Sequence, residues 1–317
     1  MVVWLLLVVS AAAFIFYRSR ADESVTAAAA GTTLASKLYV DPNSQAASWV
    51  KAHAGSPQAK VIEERIAQQP SGKWFGAWSG DITSAVDQYT SAAAADGKVP
   101  VLIAYNLPGR DCGGESAGGA ASPQEYNKWI DGFAKGLDGR RSLVILEPDS
   151  LAMLDGCLDQ AGQQARLDML SSAVKRLESQ NVWVYLDAGH SNWVPADEMA
   201  RRLTEAGISK AHGFALNVSN YNPTDSEVAY GKQVDSALGS SKPFVVDTSR
   251  NGNGSKDGQW CNPPGTKIGT PPQVGNGAEL LLWLKAPGES DGDCGSATGT
   301  QAGQFSPKLA NSLINGE

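Results

Sequence analysis

The chain is short of the residues that bind metals and polyanions. Its 317 residues include three His and four Cys, and no two Cys are spaced Cys-x-x-Cys, which excludes zinc-ribbon and thioredoxin-type chemistry. Charged residues are only 19% of the chain, the net charge is -7, and Lys and Arg form no stripe. Nucleic acid is therefore excluded as a partner, because backbone binding needs clustered cations. No phosphate-cradling loop follows the first strands, and the glycine-rich segment Gly113-Gly-Glu-Ser-Ala-Gly-Gly119 lacks the lysine of a P-loop. A mobile loop is the better reading of that segment. The sparse His argues against a metal site, and no cofactor is implied.

Long apolar runs are also missing, with one exception. Val2–Tyr17 is almost unbroken and is followed by Arg18-Ser-Arg20 and an Ala/Thr-rich stretch to Ala35. The run is short for a membrane span and suits an export-signal core, with a retained membrane anchor as the alternative. Arginines after the run rather than before it would leave the domain in the cytoplasm. The cysteines oppose that reading. Four Cys allow three pairings, of which Cys112–Cys157 with Cys261–Cys294 is the simplest, each closing a loop between neighbouring strand ends. Disulfides imply an oxidising compartment, so a secreted or extracellular protein is expected, with residues 1–35 as signal or anchor plus spacer and 36–317 as the working domain.

What is present is glycine (34), proline (16), 42% hydrophobic residues and nine Trp against seven Phe. That composition describes a loop-rich globular domain with an ample core and more indole than a core requires. Along the chain, strands alternate with helices. Strands are expected at Trp74–Trp78, Val99–Tyr105, Leu143–Glu147, Val182–Asp187, Gly213–Val218, Phe244–Asp247 and Leu280–Lys285. Helices are expected at Val61–Gln68, Ile82–Asp96, Pro123–Leu137, Gln160–Ser179, Pro195–Ala206 and Ser226–Leu238. Ser122-Pro-Gln-Glu125 carries an N-cap, a first-turn proline and a capping-box glutamate. The alternation predicts an α/β fold with a parallel sheet. Nearly every strand ends in a reactive or hydrogen-bonding residue: Tyr105, Glu147, Asp187, Asn217, Asp247, Lys285. A closed barrel gathers such ends at one mouth, whereas an open sheet uses only its switch point. The expectation is a single-domain, distorted parallel (β/α) barrel of about seven strands, acting as a monomer.

Four aspartates stand just after hydrophobic runs: Asp111, Asp149, Asp187 and Asp291. Brought to one mouth, they cannot all keep ordinary pKa values, because desolvation and like charge push some upward. Such a cluster supplies a carboxylic acid and a carboxylate together near neutral pH.

The motifs that carry these residues are Tyr105-Asn-x-Pro-x-Arg-Asp-Cys, Glu147-Pro-Asp-Ser-Leu, Tyr185-Leu-Asp-Ala-Gly-His, Asn217-Val-Ser-Asn-Tyr, Asp247-Thr-Ser-Arg-Asn-Gly-Asn-Gly, Trp260-Cys and Lys285-x-Pro-Gly-Glu-x-Asp-Gly. In this order, over roughly residues 37–317, they resemble glycoside hydrolase family 6, the inverting β-1,4-glucan hydrolases, and its bacterial endoglucanase branch in particular. The resemblance implies a distorted parallel barrel and a β-1,4-glucan polysaccharide substrate. It implies Asp149 as general acid and Asp111 as the neighbour that raises its pKa and helps steer water. It implies Asp291 as base, with a water relay to Asp111 as the competing version, and Tyr105 pressed against the sugar ring at the cleaved bond. Asp187 is implied as a further cleft carboxylate and Trp74, Trp193 and Trp260 as sugar platforms. Lys285, Glu289, His190 and Asn220 are implied as hydroxyl-binding groups, and Ser116 as a loop hydroxyl that holds water near Asp111. The chain departs from close relatives at Thr266, where they carry Arg.

Plainer readings exist for single residues. Asp111 beside Arg110 is by itself a surface ion pair, Asp149 after Pro148 a helix N-cap, Asp187 and Asp291 turn residues. Asp247 is read as structural, and His190 as hydrogen-bonded rather than catalytic. The loops held by the two cysteine pairs are short and rich in glycine, so an open groove and internal cutting are expected rather than a cellobiohydrolase tunnel. A non-catalytic carbohydrate-binding barrel and a hydrolase for a mixed-linkage glucan are the alternatives.

Overall fold

The computed structural model describes residues 34–317, so the apolar run Val2–Tyr17 lies outside the described residues. Seven strands form a parallel sheet in chain order: β1 (Lys73–Phe75), β2 (Val101–Ala104), β3 (Ser142–Leu146), β4 (Val182–Asp187), β5 (Gly213–Leu216), β6 (Phe244–Asp247) and β8 (Leu280–Leu282). A two-residue strand, β7 (Gln273–Val274), adds to the outside of β8 in antiparallel fashion. Between the strands run α3 (Ile82–Ala95), α4 (Pro123–Leu137), α5 (Gln160–Leu177), α6 (Ala196–Glu205) and α7 (Thr224–Leu238). Two helices before β1, α1 (Gln45–Ala52) and α2 (Pro57–Ile62), and one after β8, α8 (Pro307–Asn315), lie outside that alternation.

Both faces of the sheet are buried, and side-chain alternation sorts the strand residues between two cores. Val101, Ile103, Leu143, Ile145, Tyr185, Ala215, Val245, Leu280 and Leu282 point into the barrel. Leu102, Ala104, Val144, Leu146, Leu186, Phe214, Leu216, Val246 and Leu281 face the helices. Leu34 and Leu38 join the inner core, and Leu38 pairs with Val99. The sheet is curled rather than fully laddered. Its seam between β1 and β8 is closed by Gly72 N–H donating to the Trp283 carbonyl at 2.8 Å and by the Trp74 indole donating to the Leu284 carbonyl at 2.9 Å. A β-carbon on Gly72 would lie 2.2 Å from Ile103 and 2.8 Å from the Leu284 oxygen, so only glycine lets the two edges meet there.

Local chemistry explains most boundaries. Ser122 accepts from the Glu125 amide as read, but the Glu125 carboxylate reaches back to Ala121 rather than to Ser122. The helix expected over Val61–Gln68 is instead α2 running into a π-helical turn, Glu63–Ala67. The strand expected over Trp74–Trp78 stops at Phe75, because a 3-10 turn, Ala77–Ser79, begins after Gly76. Helices α1 and α8 escaped the pattern reading, although Ser306-Pro307 repeats the cap-and-proline signature of Ser122-Pro123 and Ser306 caps Leu309. The two disulfides are Cys112–Cys157 and Cys261–Cys294, with Cα separations of 5.7 and 5.9 Å.

Candidate active site

The carboxyl ends of the parallel strands open into one cleft of about 1180 Å³. Asp111, Asp149 and Asp291 line it, together with Tyr105, Ser116, His190, Asn220, Lys285 and Glu289 and the indoles of Trp74, Trp193 and Trp260. The backbone around the mouth is strained. Asp111, Glu147, Asp149, Asn217 and Ser219 all have φ between 52° and 69°, a region that non-glycine residues rarely hold without support from their surroundings.

Asp149 stands after β3 and forms no helix N-cap; it sits in a run of turns. Burial, and after it the charges of Asp111 and Asp291, push its carboxyl up to about 7, against a smaller opposing effect of Lys285. It therefore keeps its proton to a far higher pH than an ordinary aspartate and titrates near neutrality. Asp187, at the end of β4, is placed differently from the expectation. It is 1% exposed and absent from the cleft lining. One of its oxygens accepts from the backbone amides of Asp149 (2.9 Å) and Gly189 (3.0 Å). Burial, then the charge of Asp149, holds its pKa well above the ordinary value. Asp187 thus fixes the backbone of Asp149 from below, and has no open path to a sugar.

Asp291 is the opposite case. Arg250, fully buried, grips both its oxygens at 2.9 Å, and the Tyr221 hydroxyl (2.9 Å) and Asn262 amide (3.0 Å) add to one of them. Burial alone would raise its pKa, but Arg250 and then Lys285 more than offset that and hold it below the usual carboxylate range. Arg250 also lies 4.4 Å over the Tyr221 ring and donates to the Ser219 carbonyl. Asp247 is structural, as read: its oxygens accept from the amides of Ser219, Ser249, Leu284 and Lys285 and so join the ends of β5, β6 and β8. Glu147 accepts from the amides of Asn106 and Leu107 and is pushed up to about 7 by burial.

Asp111 is held by its own loop. One oxygen accepts from the Ser116 amide (2.7 Å) and hydroxyl (2.9 Å), and the Ser116 hydroxyl is also 2.9 Å from the Tyr105 hydroxyl. The simple ion pair of Asp111 with Arg110 does not form. Arg110 instead donates to the carbonyls of Ser116 and Tyr105, with its guanidinium 4.7 Å over the Tyr105 ring and 4.8 Å over Trp78. Burial, and then the charge of Asp149, raise the Tyr105 phenol, which stays neutral.

The aromatic groups are spread along the cleft. Trp74 meets Tyr105 edge-on at 5.3 Å, and the Lys285 ammonium lies 5.4 Å over the Trp74 ring. Trp193 packs at 5.1 Å against His190, which burial depresses to about 4, so the imidazole is neutral. Trp260 is 51% exposed and Trp78 56% exposed, the largest uncovered aromatic surfaces among the described residues. Exposed indoles lining a groove are what flat sugar faces stack on. Glu289 accepts from Gln45, and burial raises its pKa. Thr266 is buried, bonded to the Pro263 carbonyl, and outside the cleft lining. Arg250, Tyr221, Trp78 and Glu115 carried no assigned role in the sequence; the first two lay inside quoted motifs, and the last two had no signal beyond residue type.

A parallel barrel whose mouth joins a protonated aspartic acid, a strongly paired carboxylate and exposed indoles is a carbohydrate-cleaving hydrolase. The comparisons narrow the class. The family model described as "Glycosyl hydrolases family 6" matches residues 30–316. Endoglucanase 1 of Streptomyces halstedii is 52% identical over 296 residues, spanning 91% of this chain and 92% of that protein. Endoglucanase A of Cellulomonas fimi is 45% identical over 281 residues, which cover 87% of this chain and 60% of that protein. The solved endoglucanase Cel6 of Mycobacterium tuberculosis, in complex with methyl-cellobiosyl-4-deoxy-4-thio-beta-D-cellobioside, superposes with a TM-score of 0.82 at 39% identity, over 88% of this chain and 96% of that one. The chain belongs to glycosyl hydrolases family 6.

Proposed function

We propose that the protein hydrolyses internal β-1,4-glucosidic bonds of cellulose and related glucans with inversion at the anomeric carbon. The observation that carries the reading is the unequal titration of the cleft acids, with Asp149 pushed up to about 7 beside Asp111 and an Asp291 held below the usual carboxylate range. Asp149 gives its proton to the glycosidic oxygen as the C–O bond breaks. Water attacks the anomeric carbon from the opposite face and passes a proton to a carboxylate. Asp291 is a poor acceptor for that proton, because both oxygens are occupied by Arg250 and one also by Tyr221 and Asn262. One oxygen of Asp111 takes both bonds from Ser116, which leaves the other available. This favours the relay to Asp111 over Asp291 as direct base, with Asp291 stabilising the oxocarbenium-like charge. Tyr105, neutral and edge-on to Trp74, presses on the ring at the cleaved bond. Trp74, Trp193 and Trp260 are platforms for neighbouring glucose units, and Lys285, Glu289, His190 and Asn220 bind hydroxyls.

Names of the close relatives support endo over exo action. The two disulfides suit an oxidising, extracellular setting, with residues 1–35 as export signal or anchor. A viscosity assay on carboxymethylcellulose tests the central reading: rapid viscosity loss with few new reducing ends is expected, and release of cellobiose at unchanged viscosity would refute it. A non-catalytic sugar-binding barrel would need no acid of raised pKa, and the same assay would show no cleavage.

A further inference from the structure

Helix α7 carries side chains that grip the loop after β4. Glu227, one turn before Tyr230 on the same face, is 0% exposed. Its Oε1 accepts from the Ser191 amide at 3.1 Å and from the Ser191 hydroxyl at 2.7 Å. The Tyr230 hydroxyl donates to the Val194 carbonyl at 2.8 Å. Just before the helix, Asn222 accepts through Oδ1 from the side-chain amide of Asn192 at 2.9 Å. Between these ties stands Trp193, whose indole lines the cleft, 36% exposed and packed on His190 at 5.1 Å.

A carboxyl so far from water is costly to keep unless its oxygens are bonded. Burial pushes Glu227 up to about 7, and the two kinds of bond from Ser191 oppose that rise. Glu227 does not line the cleft, so neither proton transfer nor water activation uses it directly. What it does reach is the stretch of loop that delivers an indole to the groove.

We propose that Glu227 is a positioning residue: through Ser191 it fixes the Trp193 indole in the cleft and so sets how tightly a glucan binds at that end. The proposal deepens the glucanase reading and rests on it for its substrate. A platform already held in place binds a sugar face without the loss of freedom that ordering a loose loop would add. Glutamine keeps an oxygen where Oε1 accepts from both Ser191 groups, whereas alanine keeps none.

The dissociation constant of cellohexaose tests this, measured by calorimetry in an Asp149→Asn background where the chain is not cut. It should rise about two- to tenfold in Glu227→Ala, the range of one aromatic contact, and stay near the parent value in Glu227→Gln. Ser191→Ala removes the hydroxyl bond from the loop side, without touching the helix, and should shift the constant in the same direction by less. With Trp193→Ala already present, Glu227→Ala should change it by less than about twofold, because the group it positions is gone. A constant unchanged in Ser191→Ala and in a folded Glu227→Ala overturns the proposal. So does a glutamine variant that behaves like alanine, or a full further loss on top of Trp193→Ala, which would mark a general structural role. If this pattern holds in a protein that, with Asp149 restored, releases no reducing ends from cellulose, the glucanase reading fails and the positioning stands; no cellohexaose binding at all overturns both.

Discussion

Replacing Arg250 by Met tests how the cleft maintains two carboxyls in opposite states. The guanidinium is 0% exposed and bidentate on Asp291 at 2.9 Å, with its plane on Tyr221. Methionine fills much of the volume but leaves a buried carboxylate without its counter-ion. Breaking one side of such a pair costs about 3–5 kcal/mol. At this chain size that corresponds to about 2 °C per kcal/mol, or a fall in Tm of about 6–10 °C at pH 7. The sign of the pH dependence follows from the pairing. In the native protein Asp291 is held below its usual value, so its contribution to stability is present at neutral pH and is lost as pH falls through its folded pKa. Without Arg250, burial dominates and the pKa rises, so the variant is penalised at neutral pH and relieved once acid protonates Asp291. Denaturant unfolding at pH 7 and again near pH 4 measures both. The difference between wild type and variant should shrink at the lower pH, and Asp291→Asn should restore part of the loss when combined with Arg250→Met. A deficit equal at both pH values, with no rescue in the double variant, would refute the pairing as the source of the low pKa.

Three further outcomes are expected. Asp149→Asn should lower kcat by about 10²–10⁴, the usual worth of a positioned acid, while cello-oligosaccharide binding by calorimetry stays within a few-fold. Retained turnover would remove Asp149 from the chemistry. Asp111→Asn removes the charge that, after burial, most raises Asp149. A general acid works protonated, so the basic limb of the kcat profile, expected near pH 7 in the wild type, should move to lower pH; a limb that stays or moves up contradicts the assignment. Opening Cys112–Cys157 by the double serine variant releases a 45-residue separation, worth about 4 kcal/mol in the chain-entropy model, and frees Asp111 next to it. Calorimetry should show a lower Tm, and kinetics a lower kcat; full activity would mean that the Ser116 bonds alone hold Asp111.

The elements were legible to different degrees, for physical reasons. Helices α3, α4 and α5 carried caps and apolar periodicity, so local chemistry fixed their starts. Strand β6 was read at its observed limits, Phe244–Asp247, while β1 and β8 were read too long because Gly76 ends β1 and, after Leu282, the amides of Leu284 and Lys285 turn to the Asp247 carboxylate instead of a backbone ladder, neither of which interrupts the apolar pattern. Helices α1 and α8 are short and half-exposed; Ala46 and Ala310 join Ile62 and Ile66 in a small separate cluster, and Leu309 and Leu313 of α8 pack with Trp283 just after β8. Site residues at strand ends were visible because each follows a run of buried residues. Arg250 was not, since a fully buried arginine is recognised only by the carboxylate it faces, here 41 residues away.

Sequence by itself determined the parallel alternation of strand and helix, the set of residues delivered to one end of the sheet and the family. These depend on local spacing and residue type, which a linear chain displays in full. Tertiary structure alone decided the charge states and duties within that set. It raised the pKa of Asp149, lowered that of Asp291, buried Asp187 against the backbone of Asp149, broke the Arg110–Asp111 pairing that adjacency suggested, and joined Glu115 to a loop 178 positions away. Burial and the identity of distant neighbours set a carboxyl's pKa and reach, and both exist only once the barrel has closed.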